Sequence, residues 1–133
     1  MEPAGYSGKP LAAKLGIKPG IRIWALNPPP HYEALLGPLP AQAAMVADAA
    51  EADILHAFVT TREDLEHHVG YLAGAPKVGA ALWISWPKKA SPQFVDLTED
   101  GVRDVLLPTG WVDVKVCAVD ADWSGLKFLR RRT

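Results

Sequence analysis

Residues 79–86, "GAALWISW", run directly into "PKKASPQ" at 87–93, and this stretch decides how the chain is built. Between Ala80 and Trp86 the only polar side chain is Ser85. A half-exposed strand alternates apolar and polar residues. A strand buried on both faces does not alternate, and it belongs in a parallel sheet covered by helices on both sides. Pro87, Lys88 and Lys89 then return the chain abruptly to water, at the end of the strand where such a sheet meets its ligands.

Two other segments read the same way. "IRIWALN" at 21–27 and Ile54–Val59 are short, nearly continuous apolar runs. The residues between the three runs read as helices. "GKPLAAKLGIKPG" predicts a short helix, with Pro10 in its first turn, Leu11 and Leu15 on one face and Gly16 as a left-handed cap. "NPPPHYEALLG" predicts an extended exit from the first strand, then a helix of one or two turns from His31 to Leu36. In "TTREDLEHHVGYLAG", Thr60 or Thr61 stands at capping-box spacing from Glu63 or Asp64, and Leu65, Val69 and Leu72 form one apolar stripe. "LTEDGVRDVLLPTG" predicts a further amphipathic helix with Val102, Val105 and Leu106 inward. Ala44–Ala47 is ambiguous between a strand and a helical turn. It lies too close to Ile54 for a parallel crossover, which takes about a dozen residues or more, so a strand there is a minor edge element.

The end of the chain changes period. "VDVKVCAVD" alternates, which places Val112, Val114, Val116 and Ala118 on one face, and "LKFLRR" alternates again after the turn "ADWSG". The two make an antiparallel hairpin with Asp113, Lys115, Asp120 and Lys127 available for cross-strand ion pairs. The fold class is therefore α/β: a three-layer sandwich, residues 1–133 forming one domain, with a mostly parallel sheet and a C-terminal antiparallel hairpin.

Composition narrows the function. The chain has 133 residues, 49% hydrophobic and 22% charged, with a formal net charge of −1, so no global field draws it to nucleic acid or to an anionic membrane. The basic tail "KFLRRRT" reads as a solvated end. One cysteine, Cys117, excludes an internal disulfide and a cysteine-rich metal site, and its place in an apolar run predicts an inert thiol. No apolar stretch is long enough to span a bilayer, and "MEPAGYSGKP" lacks the apolar core of a signal peptide. A cytoplasmic protein is expected.

"GYSGKPLAAKLGIKPG", "ALWISWPKKAS" and "DLTEDGVRDVLLPTGWVDVKVCAVDADWSGLKF" resemble the bacterial family catalogued as domain of unknown function 3052, over nearly the whole chain. That family implies no activity. A more distant likeness is to a degenerate class I methyltransferase-like, Rossmann-like fold, which implies a shared scaffold shorter by one strand–helix unit. Such enzymes hold adenosylmethionine on a glycine-rich turn after the first strand. Here that position reads "LNPPPHYEALL", with no glycine between Gly20 and Gly37, and prolines remove amide donors and fix the backbone. Asp48 is the only acidic residue available near a second strand to hold a ribose. No cofactor is expected.

Ligands of open α/β sheets lie beyond the carboxyl ends of the parallel strands. Asn27, Thr60, Ser85, Lys88 and Lys89, with Thr61 and Arg62 nearby, collect at that rim. The lysines suit a phosphate or carboxylate, aided by amides of an adjacent helix start. Equally, strand ends are polar because the chain re-enters water, and lysines discourage stray edge pairing. Trp86-Pro87 is either a wall for a ring-shaped ligand or a cap on the core; Trp24, Trp83 and Trp111 read as packing. Among four histidines His67-His68 diverge on a helix and cannot share an ion, His56 reads as a satisfied interior imidazole, and only His31 has a catalytic address. No metal site is expected and no catalytic residue is assigned; Ser7, Ser91 and Ser124 lack a nucleophile's context. Three functions stay open: a non-catalytic module binding an anionic small molecule or a protein partner at the rim, an enzyme at the same rim, and an interaction protein acting as a homodimer through its terminal edge strand.

Overall fold

The computed structural model describes residues 10–131. Its elements, in chain order, are α1 (Leu11–Leu15), β1 (Arg22–Leu26), α2 (Tyr32–Leu36), β2 (Ala44–Met45), β3 (Ile54–Phe58), α3 (Arg62–Gly74), β4 (Ala81–Pro87), α4 (Glu99–Leu106), β5 (Trp111–Ala118) and β6 (Trp123–Arg130). One six-stranded sheet has the order β2-β1-β3-β4-β6-β5. β2, β1, β3 and β4 are parallel, while β6 pairs antiparallel with both β4 and β5. Two buried clusters coat its faces. Leu11, Leu15, Tyr32 and Leu36 of α1 and α2 pack on Ile23, Ile54, Phe58 and Trp83. Leu65, Leu72, Val102 and Leu106 of α3 and α4 pack on Leu55, Leu82, Ile84 and Leu126. The architecture is the α/β three-layer sandwich read from the apolar runs.

All seven residues of β4 are buried, as its unbroken apolar run predicts. β1 is less covered: Ile23 is sealed, but Trp24, Ala25 and Leu26 are half-buried and Arg22 is exposed. The helix signals hold. Thr61 accepts the Asp64 amide at 2.9 Å and Thr98 accepts that of Gly101 at 3.1 Å, each cap contributing about 1 kcal/mol. Gly16 closes α1 at φ 83°, where any Cβ is strained.

Ala44–Met45 is a strand, parallel to β1 at the sheet edge, and the crossover objection disappears for a geometric reason. Ile23 is level with both Met45 and Ile54, so the chain leaves β2 at the height where β3 begins. Residues 46–53 need only step sideways across two strand spacings, about 10 Å, with a 3-10 turn at Ala49–Glu51 on the way.

The hairpin departs from its sequence reading. A β-bulge between Asp113 and Lys115 breaks the alternation of β5. Val112 pairs with Leu129 and Val116 with Leu126, so they face opposite sides of the sheet, and Val114 and Val116 are exposed. The expected valine stripe does not exist, because one extra residue reverses every side chain beyond it. The ion pairs differ as well. Asp113 accepts from Arg103 of α4 at 2.9 Å, Lys115 lies opposite Lys127, and Asp120 takes a histidine. Arg103 also contacts Glu99 at 2.6 Å, and these two carboxylates hold its guanidinium above its ordinary range. The turn is formed by Asp120–Asp122, and Trp123, Ser124 and Gly125 belong to β6.

Candidate functional site

Parallel β1, β3 and β4 deliver their carboxyl ends to one rim. Asn27 follows β1, Thr60 lies just past β3, and Lys88 and Lys89 follow β4. β3 separates β1 from β4, so about 10 Å lies between the strand ends that carry Asn27 and Lys88. A ligand with two polar ends can span that gap.

Asn27 is exposed and has φ 51°, in the left-handed region. The turn after β1 thus does contain a positive φ, supplied by asparagine rather than glycine. The next three residues are prolines, and the chain regains a local bond only where the Tyr32 amide donates to the Pro29 carbonyl at 3.0 Å.

Ser85 does not reach the rim. Its side chain turns into the α1/α2 face, fully buried, with Oγ 2.7 Å from Nε2 of His56. Nδ1 of His56 lies 2.8 Å from the Tyr32 hydroxyl. Burial pushes the imidazole down to about 3 and the Tyr32 phenol up, so the chain from α2 through β3 to β4 is uncharged at neutral pH. A neutral ring has one N–H and one lone pair, so it donates to one hydroxyl and accepts from the other. Room for Oγ comes from Gly125 on β6, where a Cβ would stand 3.3 Å from it and 3.3 Å from a Val119 methyl. Sequence reading had His56 as a satisfied interior imidazole; its partners lie 24 and 29 residues away, beyond the reach of any local pattern.

Thr60 is half-buried, its amide directed at Asp64 at 3.4 Å. The start of α3 already holds a carboxylate: Asp96 accepts the Arg62 amide at 3.1 Å. The amides expected to assist an anion here are therefore partly engaged. Lys88 and Lys89 are different. Lys88 is half-buried, Lys89 is exposed, and neither has an ion-pair partner among the described residues. Their loop is tied down: the Ser91 amide donates to the Lys88 carbonyl at 2.9 Å, the Gln93 amide to Ser91 Oγ at 3.1 Å, and the Lys88 amide to the Asp122 carbonyl at 2.8 Å.

That last bond joins the lysines to the hairpin turn, where the Asp120 carboxylate has three hydrogen-bond partners. Asp120 Oδ1 accepts the amides of Asp122 and Trp123 at 2.8 and 2.9 Å, and Oδ2 lies 3.1 Å from Nε2 of His31. The His31 side chain is 53% exposed and that of Asp120 14%. His31 was the histidine with a catalytic address, and the structure adds a fixed carboxylate beside it. Asp120, expected in the turn with a cross-strand lysine as its partner, takes this histidine instead. Trp86 is buried in the α3/α4 cluster and caps the core instead of lining a wall. Cys117 is half-buried and its thiol is pushed up by burial. His68 contacts Asp64 at 3.4 Å, and no group of three metal-binding side chains exists among the described residues. Ser7 lies outside the described residues. No helix among them is long and apolar enough to cross a membrane.

With this geometry in view, solved structures supply a likeness of fold. A SAM-dependent methyltransferase from Aquifex aeolicus superposes with a TM-score of 0.64 at 13% identity, covering 93% of this chain and 89% of that one. The magnesium protoporphyrin IX methyltransferase of Synechocystis, with bound SAM, gives 0.58 at 14% identity over 90% and 74%. Fibrillarin from Aeropyrum pernix, with natively bound S-adenosyl-L-methionine, gives 0.55 at 14% over 90% and 73%. The chain has a methyltransferase-like Rossmann-type fold. No family model matches it, and no curated protein matches it.

The residues present do not fit adenosylmethionine. Pro28, Pro29 and Pro30 offer no amide where the cofactor's backbone contacts would be made. The exposed Asp48 accepts the Ala50 amide through Oδ1 at 2.9 Å, capping the 3-10 turn after β2.

Proposed function

We propose that this protein is a non-catalytic module on a methyltransferase-like scaffold, which binds an anionic small molecule at the carboxyl-end rim of its sheet without using adenosylmethionine. One observation carries the reading: Lys88 and Lys89 stand at the end of β4 without ion-pair partners among the described residues, on a loop held by Ser91 and the hairpin turn. A lysine buries its stem and keeps its ammonium in water, so a head with no bonded carboxylate is available to an anion, and a pinned loop lowers the entropic cost of holding one. Asn27 and Thr60, at the ends of β1 and β3, provide for the ligand's second polar end.

Thermal-shift measurements against phosphorylated metabolites, carboxylates and adenosylmethionine test this. An anion is expected to raise Tm in a saturable way, and Lys88→Ala with Lys89→Ala to abolish the rise. No shift with any anion, or a shift that survives the double substitution, overturns it.

The His31–Asp120 pair favours a second reading, an enzyme at the same rim. Asp120 fixes the ring through Nε2 and leaves Nδ1 for a proton in transfer. Turnover of a Tm-shifting compound, followed by NMR and lost in His31→Gln, establishes the enzyme; binding without turnover favours the module.

A further inference from the structure

The Lys88 amide ties the loop of Lys88 and Lys89 to the turn that carries Asp120 and Asp122, so the formal charges of the two segments cancel and the region has little net field. Selection there must come from placed hydrogen-bond donors. Of two buried indole donors without a partner among the described residues, Trp83 and Trp123, the second lies on a residue at the rim. The indole Nε1 of Trp123 is buried and has no partner among the described residues, although the residue is only 5% exposed. A buried N–H left without an acceptor is unfavourable, which makes it rare in a native protein unless something else supplies the acceptor.

Trp123 stands at the rim. It opens β6 opposite Pro87, the last residue of β4, and its ring meets Phe58, the last residue of β3, edge-on at 5.1 Å. Its own amide donates to Asp120, the residue that holds His31, and the neighbouring Asp122 carbonyl accepts from Lys88. Lys88, His31 and the Trp123 indole therefore belong to residues joined by a continuous set of hydrogen bonds around one turn. We infer that the rim ligand carries a compact oxyanion, a phosphate or a carboxylate, that takes the Trp123 indole N–H as a donor while Lys88 neutralises its charge. The inference rests on the anion-binding reading above and specifies which donors define the site.

The test is an indole N–H NMR titration of the wild-type chain with inorganic phosphate, and in parallel with acetate, the Trp123 resonance being assigned from Trp123→Phe. The Trp123 signal is expected to move downfield saturably, with Lys88→Ala weakening the effect. Trp123→Phe, which keeps a ring against Phe58, is expected to weaken binding about tenfold. Whichever anion saturates at lower concentration identifies the oxyanion. If the backbone signals of residues 87–92 shift while the Trp123 indole stays still, this inference fails and the anion-binding reading stands. If no signal moves with either anion, both fail. A Trp123 indole already downfield and unmoved by anion has a bound water as its partner, which also overturns the inference.

Discussion

Asn27 occupies a conformation that its sequence neighbours oppose. A non-glycine residue at φ 51° is strained by about 1–3 kcal/mol, less for asparagine than for most, and a residue before proline is pushed toward extended geometry. Glycine would relieve the strain, yet the position carries an exposed amide side chain at the end of β1. Asn27→Ala is expected to lower the unfolding free energy by about 1 kcal/mol, whereas Asn27→Gly stays within about 0.5 kcal/mol of wild type, both read by urea denaturation. The anion-dependent rise in Tm separates the side chain's two roles. If Asn27 contacts the ligand's second polar end, Asn27→Gly reduces that rise while leaving the free protein's Tm in place. An undiminished rise makes asparagine a turn residue and nothing more. At the same scale, the sequence placed Ser85 at the rim because it ends an apolar strand, and parity along that strand determined otherwise. Ser85 shares a face with Trp83, beneath α1 and α2, and its hydroxyl goes to His56.

At the scale of elements, what was legible depended on whether the signal was local. The cap of α3 and the unbroken burial of β4 each arise from residues a few positions apart, and each was readable. β5 was not, because alternation survives in the residue string when an inserted residue has reversed the faces in space. The bulge has a consequence for the third reading, self-association through the terminal hairpin. β5 is an edge strand with Val114 and Val116 exposed, but the bulge twists it and Lys115 stands on it opposite Lys127. Bulges and lysines are common means of keeping an edge from pairing. Lys115→Val is expected to raise the weight-average mass in light scattering at high protein concentration. Lys115→Glu, which replaces a like-charge pair by an opposite one, is expected to leave the mass at the wild-type value and add about 0.5 kcal/mol of stability. If Lys115→Val leaves the mass unchanged, the edge is protected by something other than this lysine.

Across the whole molecule the sheet's two faces are unlike. The α3/α4 face is covered by an apolar cluster in which Trp111 finds the Ala73 carbonyl at 3.1 Å. The α1/α2 face holds the Tyr32–His56–Ser85 chain, the indoles of Trp83 and Trp123, which have no partner among the described residues, and Lys14, 7% exposed, donating to the Ala118 carbonyl at 2.6 Å. Acid should therefore attack through α1 and α2. His56 ordinarily titrates near 6.5 and is held down to about 3 in the fold. Between those values the unfolded chain takes up a proton that the folded chain refuses, so protons favour unfolding. The stability from this neutral ring is complete above pH 6.5 and declines as pH falls toward 3, by about 1.4 kcal/mol per pH unit. Carboxylates add their own slope, such as that of Asp53, which the Arg22 amide holds below its ordinary range, so the histidine's share is a difference. His56→Gln keeps a donor and an acceptor but cannot titrate. In urea denaturation at stepped pH, wild type is expected to lose stability more steeply than His56→Gln below pH 6.5, by close to one proton's worth. Hydrogen exchange at pH 5 should open β1 and α2 before the helices of the opposite face. Parallel slopes for the two proteins would mean that His56 is protonated inside the fold, and the neutral chain beneath the rim would have to be abandoned.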